Sequence, residues 1–125
     1  MQRFLLICLA GAVGTGARYL VGLGAARALG PGFAWGTLAV NLAGCFLMCA
    51  VATFALVRTD FPETTRLVIT TGFMGGLTTY SAFDFELTRY LQTGEVGKGV
   101  AYLAATLLGC FATGLLGVAL GRAIA

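Results

Sequence analysis

The chain has 125 residues, of which 58% are hydrophobic and only 10% are charged, and its mean hydropathy is +0.91. Soluble domains carry about 45–50% apolar and about 25% charged residues, so this composition excludes a water-soluble domain and predicts an integral membrane protein. The net charge of +3 comes from scattered single charges, which argues against a nucleic-acid-binding surface.

The first hydrophobic run is longer than the apolar core of a secretory signal peptide, so we expect it to be a membrane span. Gly30-Pro31-Gly32 ends this run, and two later clusters of turn formers and charges, residues 58–64 and 92–95, divide the remainder. The sequence therefore predicts a single transmembrane domain over residues 1–125. Its four predicted helical spans cover about residues 4–27, 35–57, 66–91 and 98–121.

Lysine and arginine are almost evenly divided between the two ends of these spans. The two groups are Arg3, Arg58, Arg66 and Arg122 at one end and Arg27, Arg89 and Lys98 at the other. An excess of basic residues in cytoplasmic loops normally sets orientation, so this near balance predicts insertion in both orientations. We therefore expect an all-α, antiparallel (dual-topology) homodimer, in which two inverted copies replace the inverted repeats of larger transporters.

All four cysteines lie in apolar runs, and no histidine is present. This favours small buried side chains over a disulfide framework or a zinc site. Cys45 and Cys49 are one helical turn apart and could share a soft metal, although two thiols alone are a weak basis for a site. Without histidine and with few carboxylates, no acid–base constellation can be assembled, so we do not expect an enzyme.

The third predicted span is a poor continuous helix, because residues 70–81 contain three glycines and five threonine or serine side chains. Each glycine costs about 1 kcal/mol relative to alanine, and the hydroxyls compete for backbone hydrogen bonds. We therefore expect a break between Gly75 and Thr79. Backbone groups freed within a membrane need protein, water or an ion as partner. A bound ion is one explanation, and a glycine kink repaired by neighbouring hydroxyls is the alternative.

Three stretches of the chain carry a family resemblance: residues 11–19 read GAVGTGARY, residues 36–44 read GTLAVNLAG, and residues 72–83 read GFMGGLTTYSAF. In this order and spacing they resemble the small dual-topology fluoride channels called Fluc or CrcB-type proteins. The resemblance covers all four spans. It implies a homodimer with two fluoride pathways that passively exports cytoplasmic fluoride across a bacterial inner membrane and so lowers fluoride toxicity.

The resemblance also implies roles for individual residues. A structural Na⁺ at the dimer centre would be bound by third-span backbone carbonyls of both chains, which correspond to Gly75 and Thr78. The family's pore asparagine corresponds to Asn41, and its paired pore phenylalanines correspond to Tyr80 and Phe83. The tyrosine is a departure from the family pattern: it keeps the positive ring edge of phenylalanine and adds a hydroxyl donor.

Further candidate donors come from the third span and from one face of the fourth span, where a stripe at i, i+4 and i+8 resembles the family's polar track. They are Thr79 and Ser81, then Tyr102, Thr106 and Cys110. For Asn41 the alternative is an interhelical clamp. For the fourth-span stripe the alternative is ordinary packing, with hydroxyls bonded to their own i−4 carbonyls.

Three charged residues lie near the expected pathway. Arg18, inside the first span, is expected to line a vestibule and raise the local anion concentration; the alternatives are snorkelling or an ion pair with Glu86 or Asp84. Glu86 matches an acidic position that the family shows near the pore mouth. Asp84 departs from the family pattern, and its carboxylate is expected to repel an anion unless neutralised.

Two other functions compete with the channel. A small proton-coupled multidrug-type exporter is also a four-span dimer, but it needs a carboxylate in its first span, and residues 4–26 contain no Asp or Glu. A non-transporting scaffold subunit needs only glycine-rich packing faces and a polar clamp. The expected break in the third span argues against the scaffold.

Overall fold

The computed structural model describes all 125 residues and contains only helices and connecting turns. Three long helices are continuous: α1 (Gln2–Leu29), α2 (Trp35–Val57) and α6 (Val96–Ile124). Between α2 and α6 lies a third helical run made of four pieces. These are α3 (Glu63–Leu67), a π-helix (Val68–Met74), α4 (Gly75–Leu77) and α5 (Tyr80–Gln92).

The three continuous helices have 28, 23 and 29 residues and are long and apolar enough to cross a membrane. The third run does not meet this length criterion as an uninterrupted helix, because α5 has only 13 residues and a span needs about 20. The chain thus has four helical runs. Three are continuous helices long enough to span a membrane, and the third run reaches a similar length only when its four pieces are taken together.

The third run departs from α-helical geometry in two places. The π-helix is a feature that the sequence analysis did not foresee. The break lies at Thr78 and Thr79, inside the predicted range, where ψ is 154° and 121° respectively. The Thr79 hydroxyl accepts a hydrogen bond from the Ala82 amide at 3.2 Å, so it caps the N-terminus of α5. Thr78 therefore ends α4, and Thr79 starts α5.

Close backbone contacts at glycines position the broken run against its neighbours. Gly14 of α1 lies against the π-helix backbone at Phe73, and Gly76 of α4 lies against the α1 backbone at Gly11. Helix α6 approaches α2 in the same way at Gly117. In lipid, helices associate through this kind of close packing of small residues. Glycine at these positions therefore sets the interhelical distances around the break.

Most large apolar side chains face outward in the single chain. Only 18 of the 125 residues are buried, and only 6% of the membrane-length window of α1 is buried. Exposed apolar surface of this extent is incompatible with an isolated chain in water, and it fits contact with lipid or with a further protein chain.

Replacing Gly117→Leu is expected to destabilise the fold by at least about 2 kcal/mol, because any side chain at this position collides with the α2 backbone. The measurement is thermal unfolding of the purified protein in detergent. Gly97→Leu in the first turn of the same helix is the matched control, since open space surrounds that position. Equal unfolding temperatures for the two variants would contradict this packing.

Candidate functional site

A groove of about 280 Å³ lies beside the break in the third run, between α2, α5 and α6. Amide, hydroxyl, thiol and aromatic groups line it, and no charged side chain does. The lining residues are Asn41, Cys45, Thr78, Thr79, Tyr80, Phe83, Thr106, Leu107 and Cys110. Six of the eight residues predicted for the pathway therefore lie around one groove, whereas Ser81 and Tyr102 lie outside it.

The Asn41 side chain links α2 to the break in the third helical run. Its Nδ2 donates to the Thr79 carbonyl at 3.0 Å, and its Oδ1 accepts from the Thr79 amide at 2.8 Å. This pair of bonds is the interhelical clamp that the sequence analysis left as an alternative. Nδ2 carries two N–H groups, and only one of them is used. Asn41 is buried and lines the groove, so the second N–H is available to a ligand there.

Tyr80 and Phe83 stand one turn apart at the start of α5, with ring centroids 5.6 Å apart and planes inclined at 56°. Phe83 is buried and packs on the ring of Tyr102 at 5.2 Å. Tyr80 also lines the groove and is 76% exposed. The edges of both rings carry the positive part of the aromatic quadrupole.

The three polar residues along one face of α6 have different partners. Thr106 is buried, yet its hydroxyl has no hydrogen-bond partner, not even the carbonyl one turn earlier that helical threonines often use. Cys110 follows it along the groove. Tyr102 is fully buried and donates its hydroxyl to Glu86 at 2.6 Å. An unpaired buried hydroxyl costs about 1–3 kcal/mol, so Thr106 is the donor that most clearly lacks a ligand.

Glu86 joins three helices near one end of the groove. Its carboxylate accepts from the Thr37 hydroxyl of α2 at 2.8 Å and from Tyr102 of α6. The carboxylate is therefore held by neutral donors, without a cation. Glu86 also borders a smaller polar pocket of about 180 Å³ that Arg89 and Lys98 line from the solvent side.

The basic residues of that smaller pocket differ in their pairing. Lys98 donates to Glu95 at 2.5 Å, and this hydrogen bond holds the pKa of the Glu95 carboxyl below its usual range. Arg89 has no carboxylate within ion-pair distance. The pocket beside Glu86 thus has one neutralised ammonium and one free guanidinium.

Arg18 reaches the break and not a carboxylate. Its Nε donates to the Gly76 carbonyl at 3.1 Å, and neither Glu86 nor Asp84 forms an ion pair with it. The guanidinium therefore lies at the carbonyl end of the helical run that stops at Leu77, where the helix dipole favours a positive charge. Asp84 is exposed and lies outside the groove.

The break also frees backbone carbonyls. No amide or side chain donates to the carbonyl of Thr78, and Gly75 loses its usual i+4 donor because the Thr79 amide bonds to Asn41. No group of three or more acidic, cysteine or histidine side chains is placed to hold a metal. A Na⁺ bound by this chain would fit these two neutral carbonyl oxygens, since unwound backbone and helix C-terminal ends are known Na⁺ ligands in membrane transporters.

Two side chains of α2 lie at the site although no pathway role was predicted for either. Thr37 and Cys45 lie four residues before and four residues after Asn41, on the same face of α2. That spacing was the available signal.

Residues 5–118 match a family model described as "CrcB-like protein, Camphor Resistance (CrcB)". The chain belongs to this family. It is 45% identical over 125 residues to a protein of Anaeromyxobacter dehalogenans, covering 100% of this chain and 99% of the relative. It is 41% identical to a Rhizobium etli protein, with both chains covered in full, and 39% identical to one from Caulobacter vibrioides, covering 99% and 98%. Each of these relatives is named "Fluoride-specific ion channel FluC".

The CrcB-like relatives are thus named as ion channels, a class that is not enzymatic. Together with the three apolar helices of spanning length, the family match makes this chain an integral, multi-pass membrane protein.

Replacing Asn41→Leu is expected to lower the free energy of unfolding by about 1–3 kcal/mol, because it leaves the amide and carbonyl of Thr79 unpaired beside the groove. Thermal or denaturant unfolding in detergent measures the change. Thr113→Val is the control, since that hydroxyl bonds only to the Cys110 carbonyl of its own helix. An unfolding curve for Asn41→Leu that overlays the control would show that the clamp adds no stability.

Proposed function

We propose that this protein is a fluoride-selective channel through which cytoplasmic F⁻ leaves the cell passively. Hydrogen fluoride that enters from acidic surroundings ionises inside, so a passive exit for F⁻ lowers its toxicity. The observation that carries the proposal is the uncharged groove with its unpartnered Thr106 hydroxyl, in a chain whose relatives are named fluoride-specific ion channels.

A fluoride pathway has to replace strongly bound water with hydrogen-bond donors and must not hold the ion too tightly. The groove supplies the unused N–H of Asn41, the hydroxyl of Thr106 and the hydroxyl of Tyr80. The Thr79 and Ser81 hydroxyls, 3.3 Å apart, continue this set of donors at the start of α5. The absence of a lysine or arginine from the lining removes the group most able to trap the anion.

The broken third run adds a favourable field for an anion. The N-terminus of α5 carries the positive end of a helix dipole, and it lies beside the groove at Tyr80. The edges of the Tyr80 and Phe83 rings present further positive density to an anion that passes them. Cys110 extends the lining with a weak donor.

Charged residues act outside the narrow part of the pathway in this proposal. Arg18 at the break and Arg89 in the smaller pocket raise the local anion concentration without lining the groove. Glu86 orients Tyr102 and Thr37 near the mouth.

The functional unit in this proposal is an antiparallel homodimer with two pathways in a bacterial inner membrane. The nearly balanced basic residues support insertion in both orientations. Tyr80 lines the groove and is exposed in the single chain, where a second copy would cover it. The extensive exposed apolar surface supports the same assembly.

The same proposal assigns the free carbonyls of Gly75 and Thr78 to a structural Na⁺ shared by the two copies. When bound, the ion neutralises the partial negative charge of those carbonyls and links the two chains. The chain's own contribution is to hold the break open, which Asn41 and Arg18 do through Thr79 and Gly76.

Thr106→Val is expected to lower fluoride efflux by at least about tenfold, because it removes a donor from the groove at nearly constant volume. Efflux is recorded with a fluoride electrode from potassium-loaded liposomes after addition of valinomycin. Thr113→Val, an identical change on the same helix with a hydroxyl bonded outside the groove, is expected to match the original protein. Chloride efflux is expected to stay near background throughout.

If the unmutated protein is well inserted and shows no fluoride efflux, the result would contradict the channel function and favour an exporter or a scaffold subunit. Equal efflux from the two threonine variants would show that the groove is not the pathway.

Dual topology is tested by one cysteine introduced as Ala125→Cys in a variant without the four native cysteines. A membrane-impermeant maleimide applied to intact cells is expected to label about half of the chains, because near balance of basic residues gives both orientations. Labelling of all chains or of none would mean a single orientation.

A further inference from the structure

Cys45 of α2 and Cys110 of α6 both line the groove, and neither the family match nor the channel proposal gives this pair a role. The register of the two helices places these cysteines at the same level, since Gly109 of α6 lies against Leu42 of α2 and Gly114 lies against Cys49. The pair that the sequence suggests is a different one, Cys45 with Cys49 on one helix. The structure instead brings together two cysteines that are 65 residues apart in sequence.

The parallel course of α2 and α6 creates this arrangement. Short turns join successive helical runs, so the second and fourth runs point in the same direction. Asn41 and Thr106 line the groove together, and Cys45 and Cys110 follow each of them by four residues, one helical turn.

One turn further along, the partners differ. Cys49 faces Gly114, where an added Cβ would come within 3.3 Å of the Cys49 sulfur. Among these successive turns of the α2–α6 interface, only the one at Cys45 and Cys110 therefore has a thiol on both helices.

We propose that Cys45 and Cys110 form a two-thiolate site for soft, closed-shell cations such as Hg²⁺, Ag⁺ or Cu⁺. Thiolates select soft cations over the hard cations abundant in cells. In the case of Hg²⁺, each thiol gives its proton to buffer and each sulfur forms one bond to the metal, with no change in oxidation state. The groove contains no further charged ligand that would favour a harder cation.

Occupation of this site has a functional consequence that rests on the proposed channel. The metal would sit one helical turn beyond the unused N–H of Asn41 and the hydroxyl of Thr106, within the lining of the same groove. It would obstruct the groove at that point, so a thiophilic metal is expected to block fluoride efflux reversibly.

Metal retention tests the site without reference to transport. The starting protein carries Cys8→Ala and Cys49→Ala, so that the pair provides its only thiols. It is loaded with HgCl₂ in detergent, passed through a desalting column in excess 2-mercaptoethanol, and analysed for mercury by mass spectrometry. We expect one mercury per chain, because the second thiolate binds intramolecularly at a high effective concentration.

Single-thiol proteins are the matched comparison. Adding Cys45→Ala or Cys110→Ala to the starting protein is expected to abolish retention, and the serine variants repeat the comparison if an alanine variant does not fold. Equal loss of mercury from the paired and single-thiol proteins would overturn the site.

Efflux is then measured on the paired-thiol protein with one equivalent of HgCl₂ and again after dithiothreitol. We expect loss of most of the fluoride efflux and its recovery. Retained mercury with undiminished efflux would overturn the block. Retained mercury in a protein that never conducts fluoride would contradict the proposed function and leave the metal site standing.

Discussion

The two hydrogen bonds between the Asn41 side chain and the backbone of Thr79 are the constraint on which the site depends. The side-chain amide of Asn41 takes the place of the two helical partners that the Thr79 N–H and C=O would otherwise have. The helix can therefore stop inside the bundle without leaving an unsatisfied backbone group at Thr79. Thr79 can then adopt extended geometry and cap α5 with its hydroxyl. Removal of the clamp would leave the amide and carbonyl of Thr79 unpaired and so destabilise the extended geometry at the break.

A broken helix places two helix ends of opposite partial charge at one point. The surrounding residues interact with each end according to its charge. The carbonyl end is met by the Arg18 guanidinium through Gly76, and it leaves Gly75 and Thr78 with oxygen atoms suited to a cation. The amide end begins α5 beside the uncharged groove, where it favours an anion. Cation and anion sites can therefore lie side by side without a charged side chain in the groove lining.

The sequence indicated the membrane class and the position of the break because both follow from local composition: long apolar runs, and glycines followed by hydroxyls in residues 70–81. It did not reveal the π-helix, whose geometry depends on close contact between α1 and the backbone at Phe73. Six of the eight residues that the sequence assigns to the pathway line one groove. The partners of Arg18 and Glu86 were not predictable, since each lies on a different helix and its choice depends on interhelical register.

The most direct test of the account is the reversal potential of the purified protein in a planar bilayer, with a fluoride gradient opposed by a chloride gradient. An uncharged, donor-lined groove that carries F⁻ predicts a current that reverses at the equilibrium potential of fluoride and does not shift when the chloride gradient is inverted. Reversal at the chloride or the cation equilibrium potential, or no current from protein shown to be inserted, would contradict it.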